Sequence, residues 1–108
     1  MSVLLDFSIF PLDRAEGLSA YVAPVVNLLA ASGHPYQLTA MGTLVETEDI
    51  GQATALIADA HRLLAELGCG RVYATARLDT RIGPLGRLRT KTERVERLLT
   101  RDGQADAV

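Results

Sequence analysis

Along this chain the apolar residues switch between a spacing of two and a spacing of three to four. That alternation restricts the fold more than any other feature. The helical spacing is clearest in "EDIGQATALIADAHRLLAELG", residues 48–68. There Ile50, Ala53, Ile57, Ala60, Leu64 and Leu67 recur at intervals of 3-4-3-4-3. Thr47 is placed to cap the start of this helix, Glu48 and Asp49 suit its positive end, and Gly68 ends it. A second helix is predicted over "LSAYVAPVVNLLAASG", residues 18–33, with Leu18, Val22, Val25 and Leu29 as its stripe. Ser19 can cap its start and Gly33 its end. Pro24 removes one helix hydrogen bond, so the first turn is expected to be kinked or irregular.

Strand spacing fills the gaps between these helices. "VLLDFSIF" (3–10) is rich in β-formers and is closed by Pro11. "YQLTA" and "TLVET" form two short strands on either side of Met41-Gly42, and "RVYATARLD" (71–79) alternates as a fourth. "PLDRAEG" (11–17) and "TRIGPLGRLR" (80–89) read as loops. "TKTERVERLLTRDG" (90–103) reads as a short helix with Val95, Leu98 and Leu99 on one side. The last five residues are expected to fray. The order is β-α-β-β-α-β plus a C-terminal helix, which predicts a ferredoxin-like α+β fold. Two helices then cover one face of a four-stranded antiparallel sheet, and the other face is open. At 108 residues the chain is one domain, 1–108, with its core in 3–79 and a C-terminal loop and helix in 80–103.

The totals remove several functional classes. Apolar content is 48%, yet no apolar run approaches the ~20 residues of a membrane span. The N-terminus has no basic region and carries Asp6 in its apolar stretch, unlike a signal peptide. Cys69 is the one cysteine, so no internal disulfide can form, and a cytoplasmic location is expected. Residues 1–70 set Arg14 and Arg62 against eight acids, and residues 71–108 set nine bases against five acids. Asp79, Glu93 and Glu96 interrupt these bases, and no aromatic residue follows Tyr73 to stack on a base. The basic segment is therefore expected to dock on an acidic protein surface rather than on nucleic acid. His34 and His61 lie far apart without acids at metal spacing. Cys69 has no catalytic partner, no Ser-His-Asp set can be argued, and "GCG" and "GPLG" lack the lysine of a phosphate loop.

Strand alternation sorts the side chains by face. Val3, Leu5, Phe7 and Ile9 are expected to meet the helices, as are Val72, Ala74, Ala76 and Leu78. A two-residue loop at Met41-Gly42 pairs Ala40 with Thr43, Leu38 with Val45, and Gln37 with Glu46. The open face then carries Asp6, Ser8, Gln37, Thr39, Glu46, Tyr73, Thr75, Arg77 and Asp79, with Leu4, Phe10 and Leu44 among them. That face is either solvated, an oligomer contact, or a platform for a cationic or amino-bearing small molecule.

Several of these stretches resemble a known family, the small thiamine-binding proteins related to YkoF. They are the strand ending in "FPL", the helix opening "SAYV", "YQLTAMGTLVE", "AHRLLAELG" and "RVYATARLDTR", in that order over residues 3 to about 97. The resemblance implies a ferredoxin-like fold, assembly into homo-oligomers (dimers or tetramers), no catalysis and no cofactor. Its ligand would be thiamine or its hydroxymethylpyrimidine part. Face geometry and resemblance together nominate Glu46 and Asp6 as ligand carboxylates, Ser8, Thr39 and Thr43 as hydroxyl partners, and Tyr73 or Phe10 as the stacking surface. Arg77 joins this set, at the ligand or as the cross-strand partner of Glu46. A basic residue of another subunit is the other candidate partner for that acid. A regulatory amino-acid- or metabolite-binding domain of similar fold is the alternative. An acylphosphatase-like enzyme is a third reading, but its anion loop after the first strand would have only Arg14 to offer.

Overall fold

In the computed structural model, which describes residues 1–101, the elements follow in the order β1 (Ser2–Pro11), α1 (Ser19–Ala31), β2 (Tyr36–Thr39), β3 (Gly42–Thr47), α2 (Ile50–Glu66), β4 (Val72–Arg81) and α3 (Arg87–Arg101). The four strands form one antiparallel sheet in the order β2-β3-β1-β4. The expected ferredoxin-like α+β fold is therefore present. The frayed terminus predicted for the last five residues lies outside the described residues.

β1 sits between β3 and β4, and its alternation builds both faces. Val3, Leu5, Phe7 and Ile9 are buried and face the helices. They pack with Val25 and Leu29 of α1, Val45 of β3, and Ala53, Leu56, Ala60 and Leu64 of α2. Burying each valine, leucine, isoleucine or phenylalanine of this set stabilises the fold by roughly 1.5–3 kcal/mol. α2 is capped by Asp49 rather than Thr47: the Asp49 carboxylate accepts from the Gln52 amide at 2.8 Å, while Thr47 donates its hydroxyl to the Asp49 carbonyl. Asp49 competes better because an ionised acceptor also meets the helix dipole. α1 begins without a side-chain cap, with Leu18 rather than Ser19 at the cap position. Its first turn is tightened by bonds from Ala20 to Gly17 and from Tyr21 to Leu18, and the helix continues through Pro24.

The β2–β3 hairpin turns at Ala40-Met41, one residue earlier than the sequence implied. Tyr36 pairs with Val45, Gln37 with Leu44, Leu38 with Thr43 and Thr39 with Gly42. This register is two residues away from the expected one. A shift of two preserves the faces, so Gln37, Thr39, Leu44 and Glu46 still lie on the open side. Gly42 explains the earlier turn: a Cβ there would stand 2.8 Å from the Phe7 carbonyl oxygen. The turn residue Thr39 closes the loop, donating to the Gly42 carbonyl at 2.8 Å and accepting from the Met41 amide.

The segment after β4 departs most from the sequence reading. β4 runs to Arg81 and α3 starts at Arg87, so part of the predicted 80–89 loop is regular structure. α3 crosses one end of the open face and is fixed there by Glu46. This carboxylate is 1% exposed. It accepts from the Ser2 hydroxyl and from the backbone amides of Gly86 (3.0 Å) and Arg87 (3.2 Å). Arg87 completes the cluster, donating to the Ser2 hydroxyl and carbonyl and to the Asp79 carbonyl. The helix N-terminus thus supplies unpaired amides and positive potential to a buried anion. Burial pushes the Glu46 carboxyl up, but the bonds from Ser2 and the amides of Gly86, Arg87 and Leu88 outweigh it and hold it below the ordinary range.

Two outcomes follow. Gly42→Ala should lower stability by roughly 1–3 kcal/mol through the forced contact with Phe7, read from the urea midpoint. Glu46 has a depressed folded pKa, so its contribution is present above the ordinary glutamate value of about 4.3 and is lost as pH falls through the folded value. Glu46→Gln should therefore cost on the order of 1.5–3 kcal/mol at pH 7. It should also flatten the loss of stability on acidification, measured by urea unfolding at neutral and at acid pH.

Candidate functional site

The nominated residues separate into three groups. Glu46 is on the open face, opposite Leu4, as the alternation required. Its oxygens are engaged by Ser2, Gly86 and Arg87. The arginine beside it is Arg87, whereas Arg77 pairs with Asp6. Nothing in the spacing pointed to Ser2 or Arg87, because they reach Glu46 across 44 and 41 residues of chain.

The second group is Asp6 and Arg77, opposite each other on β1 and β4. They border a shallow hollow of about 370 Å³ on the open face, with Leu4, Leu44 and Leu88 as its apolar floor. On its other side Asp79 pairs with Lys91 at 3.0 Å and with Arg87 at 3.2 Å. Lys91 first, then Arg87, draws the Asp79 carboxyl below its usual range.

The third group gathers around a cleft of about 380 Å³ on the helix side of the sheet. β1 runs past the last residue of β3 that it pairs with, since Phe7–Thr43 is the final β1–β3 pair. Beyond that point Ser8, Ile9 and Phe10 border the opening, the turn residues Thr39 to Gly42 form one rim, and α1 forms the opposite wall. Val22, Val25, Val26 and Leu29 supply that wall because they are the apolar stripe of α1, and Leu38 faces it from β2. Thr43 is 4% exposed, yet its hydroxyl has no hydrogen-bond partner among the described residues, and neither has that of Ser8. Among the described residues no fully buried side-chain oxygen lacks a partner, so the Thr43 hydroxyl has access to the cleft. Among the described residues no charged side chain lines this space. Tyr73 lies just outside and packs on Phe10 with ring centroids 5.8 Å apart.

The structure therefore brings Ser8, Thr39, Thr43 and Phe10 together and leaves Glu46, Asp6 and Arg77 elsewhere. The sequence reading missed the α1 wall and Leu38. The signal was present in the α1 stripe, which is longer than β3 and the shortened β2 can cover. Arg14 forms no open anion cradle: its guanidinium donates to the Tyr21 hydroxyl and the Gly68 carbonyl and pairs with Asp13. Among the described residues no group of three His, Cys, Asp or Glu side chains can hold a metal ion, and no helix is long and apolar enough to cross a membrane.

Comparison with known proteins gives a consistent result. Residues 5–96 match the thiamine-binding protein family. A UPF0045 protein of Methanothermobacter thermautotrophicus is 33% identical over 95 residues, covering 87% of this chain and 96% of its own. A UPF0045 protein of Mycobacterium bovis is 34% identical over 101 residues, covering 94% of this chain and 98% of its own. Among solved structures, a hypothetical protein of Methanocaldococcus jannascii superposes with a TM-score of 0.76 at 23% identity, over 88% of this chain and 96% of that one. A protein of Thermotoga maritima described as a putative thiamine biosynthesis/salvage protein superposes with a TM-score of 0.70 at 16% identity, over 80% and 90%. With a family match spanning most of its length and relatives above 30% identity along nearly the whole chain, this protein belongs to the thiamine-binding protein family.

Proposed function

We propose that the chain is a non-catalytic binding protein and that its ligand, thiamine or the hydroxymethylpyrimidine part of it, seats in the cleft between α1 and the β2–β3 turn. The observation that carries this reading is the cleft itself: apolar, uncharged, of small-molecule size, with the Thr43 hydroxyl lacking a partner. A neutral aminopyrimidine ring suits such walls, and a ring nitrogen or its amino group can pair with the Thr43 hydroxyl. The thiazolium cation of thiamine would be costly deep inside, where no carboxylate balances it. It belongs at the mouth, near the Phe10–Tyr73 pair, where an aromatic face can meet it.

The alternative is a regulatory amino-acid- or metabolite-binding domain. The open-face hollow favours it, since Asp6, Arg77, Asp79 and Lys91 offer both signs of charge to a zwitterion. Those charges are already paired with one another, and a ligand would have to displace them. Assembly into a dimer or tetramer is also part of the proposal: Val95, Leu98 and Leu99 of α3 are about half exposed and form an apolar stripe needing cover. A cytoplasmic location fits the single free Cys69.

Calorimetric titration with thiamine, hydroxymethylpyrimidine and amino acids tests the reading. Thiamine-type ligands should bind. Thr43→Val should weaken binding roughly two- to tenfold, the worth of one neutral hydrogen bond. Val26→Phe, which fills the cleft, should abolish it, and Asp6→Asn should leave it unchanged. Binding that ignores Thr43→Val and Val26→Phe but is lost in Asp6→Asn would move the site to the open face.

A further inference from the structure

Leu38 separates two hollows that would otherwise be one. The cleft beside α1 lies on one side of it. On the other side is a second, more open hollow of about 270 Å³, bordered by Ser19, Val22, Ala23, Val26, Asn27 and Leu38. Val22, Val26 and Leu38 border both spaces. The sequence of α1 explains the pair. Val22 and Val26 form one row of that helix, and Ser19, Ala23 and Asn27 form the next row outward, each at a spacing of four. Ala23, in the middle of the outer row, carries only a methyl group, so a depression remains there.

Leu38 makes a thin partition. It lies on β2, the short edge strand, and no further strand supports it from outside among the described residues. It is 60% exposed. Leu38 also pairs with Thr43 of β3 and shares its face. Directly opposed residues of antiparallel strands stand about 4.5–5.5 Å apart at their Cβ atoms. The partition therefore stands beside the hydroxyl nominated to hold the ring.

We propose that Leu38, as the partition between the two hollows, sets the size limit of the ligand: it admits a methyl group on the ring edge facing β2 and rejects longer chains there. This rests on the cleft reading above and adds which part of the ligand is selected. In hydroxymethylpyrimidine the methyl-bearing carbon lies between the two ring nitrogens, and the hydroxymethyl-bearing carbon lies across the ring from it. Thiamine carries its thiazolium at the hydroxymethyl position, so that position points to the Phe10–Tyr73 mouth. Phe10 and Tyr73 are on β1 and β4, whereas Leu38 is on β2 at the opposite edge of the sheet. The methyl group then points toward Leu38. Thr43 gives the same orientation, because a ring nitrogen bonded to its hydroxyl has the methyl-bearing carbon as its neighbour. A longer alkyl chain meets the Leu38 side chain and has to push it away from α1 to reach the outer hollow. Once open, that hollow suits such a chain, since Val22, Ala23 and Val26 are apolar.

Calorimetric titration with homologues of hydroxymethylpyrimidine bearing methyl, ethyl, propyl or butyl at that carbon tests this. The proteins are the wild type, Leu38→Ala, and Leu38→Ala combined with Ala23→Leu. Both positions are exposed, so the fold should survive, and circular dichroism checks that. The wild type should lose about tenfold in affinity between the methyl and the butyl compound, the cost of overfilling a packed space. In Leu38→Ala affinity should instead rise along the series, by about fourfold for each methylene buried. Ala23 borders the outer hollow but not the cleft, so Ala23→Leu should cancel that rise without further weakening the methyl compound. The same chain-length profile in the wild type and Leu38→Ala, or a rise that Ala23→Leu leaves intact, would overturn the partition while leaving the cleft reading standing. No binding of any homologue, or binding lost in Asp6→Asn, would overturn the cleft reading and the partition with it.

Discussion

Everything in this molecule is hung on β1. It is the longer of the two inner strands, paired to β3 from Val3 to Phe7 and to β4 from Ser2 to Pro11. Its alternation divides the protein into two chemically different halves. Val3, Leu5, Phe7 and Ile9 make the core floor, while Leu4, Asp6, Ser8 and Phe10 look the other way. Because β1 is longer than β3, the two strands part company after Phe7. The core there gives way to an opening instead of closing. A cleft at this place is thus a consequence of unequal strand lengths, with Gly42 permitting the turn to approach the Phe7 backbone.

The open face is organised by a different force. Its apolar content is too small to hold α3, so docking is polar: a buried carboxylate accepts from a helix N-terminus and from a serine hydroxyl, with an arginine bridging to the neighbouring strand. Such a cluster is costly if any member is missing, because the remaining groups are left buried and unpaired. It fixes the start of α3, while its later turns leave Val95, Leu98 and Leu99 presented outward. The stripe and the bare β4 edge are two consequences of one fact: the single chain ends its layers before all its apolar surface is covered.

Much of this was legible in the sequence, for local reasons. Element order followed from the change of period, and face assignment followed from parity, which survived a hairpin register wrong by two residues. What was not legible depended on contacts between distant residues. Glu46 could be placed on the open face, but its engagement by Ser2 and by the amides of Gly86 and Arg87 required knowing that the Gly- and Arg-rich segment turns back over the sheet. Thr47 was the expected cap of α2, and the geometry of the β3 exit gives that place to Asp49 instead. β4 alternates as a half-buried strand does, and alternation cannot reveal that neither face is covered within one chain. The nominated site was scattered for the same reason: residues sharing a face need not share a hollow.

The central claim is that a neutral heteroaromatic ring occupies the cleft beside α1. Its most direct test is a methyl-resolved NMR titration of the full chain with hydroxymethylpyrimidine, with assigned valine, leucine and methionine methyl groups. The account predicts saturable shifts confined to Val22, Val25, Val26, Leu29, Leu38 and Met41, the residues whose side chains border that space. Saturable shifts at Leu4, Leu44 and Leu88 instead, with the α1 methyl groups unmoved, would contradict it and put the ligand on the open face.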